Sequence, residues 1–158
     1  MTNRPSPATL ERSGIAARIP HSGSMCLLDR LDSWDAQQIR CSTGSHRLAD
    51  NPLRSAGGLL MPCAIEYAAQ AMALHGGLLA PPGQAPSAGY LASVRNVQFT
   101  QARLDAVEGD LQVQARRLSG DERQVLYEFE VSDAAGRTLA QGRAVVVLNT
   151  PLTLESPA

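Results

Sequence analysis

The sequence predicts an α+β domain in which a curved antiparallel sheet wraps around one long buried helix, and three observations carry this. Residues 62–77, PCAIEYAAQAMALHGG, read as a helix that is apolar or small on nearly all sides. Such a helix belongs inside a protein, because a surface helix keeps only one apolar stripe; at roughly 12–14 residues it is too short to span a bilayer. About six other segments have strand length, and turn signals separate them. No further segment supplies a second helical layer, so the sheet has to curl around the one helix.

Taken in order, residues 1–12 are polar and proline-bearing and are expected to form a flexible arm, with the domain over 13–149 and a tail over 150–158. A helical turn is expected over 13–18, ended by Pro20, which disfavours the helical conformation at Ile19. Residues 25–31, MCLLDRL, and residues 38–43, QIRCST, read as two strands with Trp34 and Asp35 in their connection. Residues 44–61 show no sustained period and hold Gly44, Pro52, Gly57 and Gly58, so they form a loop leading into the helix; loops of this kind often supply site residues. The helix starts at Pro62, whose missing N–H costs nothing in a first turn, and stops at Gly76 and Gly77, where a left-handed cap needs no Cβ. Residues 78–89 form a proline-rich connector suited to a mobile flap. Residues 90–99, 110–118, 124–132 and 138–148 complete the sheet, with turn signals around Gly109, Gly120 and Gly136. Such a sheet leaves an open edge, for which pairing between two copies is the expected remedy.

Composition excludes several classes. With 158 residues, 44% hydrophobic and 18% charged, the chain is a single domain able to hold a core without disulfides or metals. A net charge of −1 and the lack of any basic run set nucleic acid aside. All 14 basic residues are arginine, which excludes Schiff-base chemistry and a P-loop lysine. Cys26, Cys41 and Cys63 are isolated, so neither structural zinc nor a disulfide framework is expected. Residues 1–20 contain no apolar run of signal-peptide length, and a cytoplasmic chain with reduced thiols is expected.

Glu66 and Gln70, four apart, share one face of the otherwise apolar helix. A carboxylate there needs a partner or a changed protonation, and such groups are often functional, although a purely structural Glu66–Gln70 pair has the same signature. His75, nine positions beyond Glu66, falls on the opposite face, where a cation near a helix C-terminus is stabilising without any chemistry.

The run IPHSGSMCLLDRL at residues 19–31 resembles the LPHR-x-P-x-LLxDRV opening of bacterial 3-hydroxyacyl-acyl-carrier-protein dehydratases of the hotdog fold. Met61 and Pro62 followed by EYAAQ at 66–70 resemble their MPG…EALAQ helix, GYLASVRNVQF at 89–99 their FAGIDKARF strand, and EGDL at 108–111 their PGDQL turn. Within that superfamily NPLR at 51–54 and AQAMALHGG at 69–77 are similar to the aryl-polyene branch. One departure stands out: where the fatty-acid enzymes carry a catalytic histidine in GHFPGRP, residues 51–60 read NPLRSAGGLL and contain none.

The resemblance implies dehydration of a 3-hydroxyacyl thioester to the trans-2-enoyl form, with no cofactor beyond the phosphopantetheine of the carrier. That reaction needs a base for the α-proton, an acid for the departing hydroxyl and a donor for the thioester oxygen. Glu66 carries over as the acid, and the base falls to His21 or His46. Backbone N–H groups near Cys63 and Ala64, at the helix start, and the neighbouring Gln70 are the expected substrate contacts. Arg95 and Arg103 are the expected contacts to an acidic acyl carrier protein. A homodimer, a higher even oligomer or a heteromer with a related dehydratase is expected. A hotdog thioesterase and a catalytically degenerate carrier-binding subunit are the alternatives.

Overall fold

The computed structural model of the chain describes residues 7–81 and 89–148. The elements are β1 (Leu10–Glu11), α1 (Arg12–Ala16), β2 (Arg30–Trp34), β3 (Gln38–Thr43), α2 (Ala64–Leu79), β4 (Gly89–Phe99), β5 (Leu111–Gly120), β6 (Gln124–Ser132) and β7 (Thr138–Leu148). All seven strands join one antiparallel sheet in the order β1-β2-β3-β5-β6-β7-β4. The sheet curls around α2, which is the hotdog arrangement expected from the sequence.

Strand alternation sorts the residues. Ile39, Cys41, Val113, Ala115, Phe129, Val131, Ala140 and Ala144 are buried and form one core with Tyr67, Ala68, Ala71, Met72, Leu74 and Leu78 of α2. The other face carries Arg116, Glu128 and Arg143 side by side in register, with ion pairs of 3.4 and 4.0 Å on Glu128. No helix of the described residues is long and apolar enough to cross a membrane.

Several boundaries differ from expectation. The first full strand is Arg30–Trp34, not 25–31, and Trp34 ends it, its indole N–H donating to the Pro7 carbonyl at 2.7 Å. The apolar run before it has no ladder because a 3₁₀ turn over Gly23–Met25 takes the N–H groups of Met25 and Cys26 and side chains take both backbone groups of Leu27, as described below. The arm is shorter than expected, since Leu10 and Glu11 pair with Leu31 and Arg30 and α1 begins at Arg12.

Helix α2 also runs past the paired glycines to Leu79. Gly77 serves close approach rather than capping: a Cβ there would sit 3.1 Å from the Arg18 carbonyl oxygen. The helix stops where Ala80 turns extended (ψ 145°) ahead of Pro81. Nor is α2 enclosed on every side, for Ile65, Glu66, Ala69, Ala73 and Gly77 form a half-buried stripe along it. The proposed flap falls largely on residues 82–88 and the tail on 150–158, both outside the described residues.

Candidate functional site

The site is built by side chains that grip a stretch of backbone. Gln70, one turn beyond Glu66 on α2, accepts the Leu27 N–H on Oε1 at 2.9 Å and donates from Nε2 to the Met25 carbonyl at 2.7 Å. From the other side the hydroxyls of Thr43 and Ser45 reach the Leu27 carbonyl at 2.5 and 2.6 Å. Ser45 Oγ lies 2.8 Å from the Tyr67 hydroxyl, and the Asn51 amide donates to that hydroxyl at 3.1 Å and to the Ser45 carbonyl at 3.0 Å. Thr43, Ser45, Asn51, Tyr67 and Gln70 are all buried. An unpaired buried polar group costs about 1–3 kcal/mol, so a satisfied network of this kind holds residues 25–27 firmly against α2.

That grip places His21 over the first turn of α2. Its Nε2 lies 3.0 Å from Glu66 Oε1, and the Gln70 amide nitrogen lies 3.4 Å from the same oxygen. The two side chains are 26% and 34% exposed, so the pair is partly open to solvent. Gln70, expected to touch substrate, is instead hydrogen-bonded to protein at both ends of its amide.

The other histidines lie elsewhere. His46 is buried, its Nε2–H donating to the Val107 carbonyl at 2.9 Å, and burial pushes its pKa down. It makes no hydrogen bond to Glu66 or His21, and among the described residues His21 is the histidine in contact with Glu66. His75 is buried at the far end of α2: Nε2–H donates to the Asp35 carbonyl at 2.7 Å and Nδ1 accepts the Tyr127 hydroxyl at 2.8 Å. Burial pushes its pKa down, so it is a neutral core group and not the terminal cation expected from its position.

The backbone donors expected near Cys63 and Ala64 are already used. A 3₁₀ turn, Met61–Cys63, precedes the helix, so the Cys63 N–H bonds the Leu60 carbonyl and the Ala64 N–H the Met61 carbonyl. Met61 N–H pairs with Ala102 O, and Pro62 has no N–H. No free amide remains over these four residues.

Arg103 clamps Asp105 with both ends of its guanidinium, at 3.1 and 2.6 Å, and Arg54 adds a contact at 3.5 Å. The Asp105 side chain is 4% exposed, and the Arg103 guanidinium holds its carboxyl down at about 2. This clamp closes on Gly58 (φ +95°), where a Cβ would lie 2.7 Å from both partners. Arg103 therefore anchors the loop leading into α2. Arg95, exposed on β4, has no ion pair among the described residues. Among the described residues no group of three or more His, Cys, Asp or Glu is placed to hold a metal.

Sequence reasoning missed the roles of Thr43, Ser45, Asn51 and Tyr67. Tyr67 beside Glu66 and Asn51 in the NPLR run are the two signals that could have pointed there.

Comparison with known proteins places the chain in a family. Among solved structures the chain resembles the dehydratase heterocomplex ApeI:P from Xenorhabdus doucetiae, with 25% identity, a TM-score of 0.76, and 87% of this chain and 91% of that chain covered. It also resembles a mutant thioesterase, PA1618, from Pseudomonas aeruginosa, at 15% identity and a TM-score of 0.63 over 88% and 94% of the two chains. The thioesterase HI1161 from Haemophilus influenzae matches at 10% identity and a TM-score of 0.56, covering 80% and 81%. These last two likenesses show a shared fold. No match is found among curated proteins. The profile of the ApeP-like family, described as ApeP dehydratase, matches residues 13–155, nearly the whole length, and the chain belongs to that dehydratase family.

Proposed function

We propose that this protein removes water from a 3-hydroxyacyl thioester carried on acyl carrier protein, giving the trans-2-enoyl thioester, in a polyene or polyketide-like pathway. The observation that carries the reading is the 3.0 Å contact between His21 and Glu66 on the half-open face of α2, in a chain of a dehydratase family. The thioester makes the α-proton acidic and hydroxide is a poor leaving group, so the reaction needs one proton taken and one given. The His21–Glu66 pair can do both without a cofactor. His46, bonded to Val107 O, is left as a structural residue.

The carrier approaches through exposed arginine, with Arg95 uncommitted and Arg103 retaining its charge beside Asp105. The functional unit is an oligomer built on β4, an 11-residue edge strand whose exposed side chains include Tyr90, Leu91, Val94 and Phe99. The ApeI:P neighbour is itself a heterocomplex, which supports pairing with a related dehydratase as well as with a second copy.

The test is mass spectrometry of a 3-hydroxyacyl-carrier substrate incubated with the protein, alone and with such a partner, beside Glu66→Gln, His21→Ala and His46→Ala. Loss of one water, slowed by about 10²-fold or more in Glu66→Gln and His21→Ala and kept in His46→Ala, is the expected result. Release of a free acid would make the protein a thioesterase. An unchanged substrate in a stable carrier complex would make it a binding subunit.

A further inference from the structure

We infer that Gln70 is a positioning residue that fixes the proton polarity of the His21–Glu66 pair and leaves Glu66 Oε2 as the atom presented to substrate; the catalytic part of this inference rests on the dehydratase reading. The logic runs along a chain of hydrogen bonds. Leu27 N–H can only donate, so the Gln70 atom facing it at 2.9 Å is the amide oxygen. The Met25 carbonyl can only accept, so the Gln70 atom at 2.7 Å is the amide nitrogen. With both ends fixed by backbone, the amide cannot flip. Its NH₂ must then face Glu66 Oε1, which lies 3.4 Å away, and that oxygen is an acceptor.

His21 Nε2 meets the same oxygen at 3.0 Å. A donor on Oε1 favours the ionised form of that oxygen, and His21 Nδ1 has no acceptor in reach among the described residues, so the proton of the neutral ring sits on Nε2 and Glu66 accepts it as the carboxylate. A backbone N–H 43 residues from Gln70 in sequence thus orients the amide that meets the His21–Glu66 pair.

The two unused atoms of the pair differ. His21 Nδ1 is shut away from solvent without a partner. Glu66 Oε2 has no hydrogen bond among the described residues, yet it is not among the side-chain atoms closed off from solvent. His21 is the one titratable group in hydrogen-bond contact with Glu66 among the described residues. Substrate therefore meets Oε2, while His21 Nε2–H and Gln70 Nε2–H hold Oε1.

The step balances on that one atom. Oε2 takes the proton from Cα, the freed electron pair forms the Cα=Cβ double bond, and the Cβ–O bond breaks. The leaving oxygen takes the proton back from Oε2 and departs as water, and the carboxylate is restored with both donors in place. Glu66 then serves as base and acid in turn, and His21 is its donor.

Nitrogen-15 NMR of the histidine rings, with His21 assigned by its loss in His21→Ala, tests the polarity in the wild-type protein without substrate. The Nε2–H form of neutral His21 is expected, and the Nδ1–H form would overturn the inference. Gln70→Met and Gln70→Glu are compared by the pH dependence of kcat/KM. Losing a donor to the carboxylate should move the acid limb upward by about one pH unit in Gln70→Met, and a second negative charge should move it further in Gln70→Glu. Both should lower kcat about tenfold or more with KM little changed. Acid limbs that coincide with wild type in both folded variants would overturn the positioning role. If the wild type releases no water while His21 shows the expected tautomer, the dehydratase reading fails and the polarity stands.

Discussion

Helix α2 carries a histidine contact at each end, and the two differ in closure. At the far end both ring nitrogens of His75 are satisfied, by the Tyr127 hydroxyl and the Asp35 carbonyl, and the residue is wholly buried. At the near end the His21–Glu66 pair is about one-third exposed and leaves one carboxylate oxygen without a partner among the described residues. Both ends use a histidine hydrogen-bonded to an oxygen, so residue type does not separate chemistry from structure here. What separates them is whether the hydrogen-bonding capacity is exhausted. A closed network can only stabilise, whereas an open atom on a rigid mount can react.

That contrast can be broken by mutation. The largest effect is expected for Glu66→Gln, which should lower turnover by about 10³-fold while moving the melting temperature by no more than about 2 °C; water loss followed by mass spectrometry and a thermal scan read the two quantities. His21→Ala should cost about 10²-fold in kcat. At the closed end the pattern inverts: His75→Gln should leave kcat within about threefold and lower the unfolding free energy by about 1–3 kcal/mol, because the Tyr127 hydroxyl and Asp35 carbonyl lose a partner. A urea titration checks this, and a large fall in kcat at unchanged stability would contradict the structural assignment. Tyr127→Phe, which removes one hydrogen bond and little volume, should cost about 1 kcal/mol in the same assay.

The smallest effect concerns pH. Burial lowers the pKa of His46 and His75 below the ordinary 6.5, so the unfolded chain binds protons that the native chain refuses. Their contribution to stability is complete above 6.5 and shrinks as the pH falls below it. Urea midpoints measured from about pH 8 to pH 5 should decline, and His75→Gln should decline less steeply than wild type.

Much of the fold was legible because period and turn chemistry are local properties. The four C-terminal strands and the existence of α2 followed from alternation and apolar content, and Glu66 followed from a carboxylate in an apolar helix. The misses share one cause. The run MCLLD has the apolar content of a strand, but the Leu27 N–H and C=O go to Gln70, Thr43 and Ser45, partners far away in sequence. Gly77 looks like a stop until the Arg18 carbonyl is found beside it. The amides of Cys63 and Ala64 look available until the 3₁₀ turn claims them. Sequence reports what a residue is, and the partner of a backbone group is settled only by the fold. The pairing of His21 with Glu66 was therefore within reach as a choice between histidines, while Gln70 as its arbiter was not.

The edge strand β4 carries one more consequence. Its pairing with β7 is interrupted between Leu91 and Ser93 and again between Arg95 and Gln98, and Asn96 takes a left-handed conformation (φ +54°). Fibril-forming segments are six or seven residues of flat, regular strand, and no uninterrupted stretch of β4 reaches that length. The kinks therefore act as a brake on runaway stacking: a shaped mate can dock on this edge, while a chain made in excess of its mate has no straight template on which to grow aggregates.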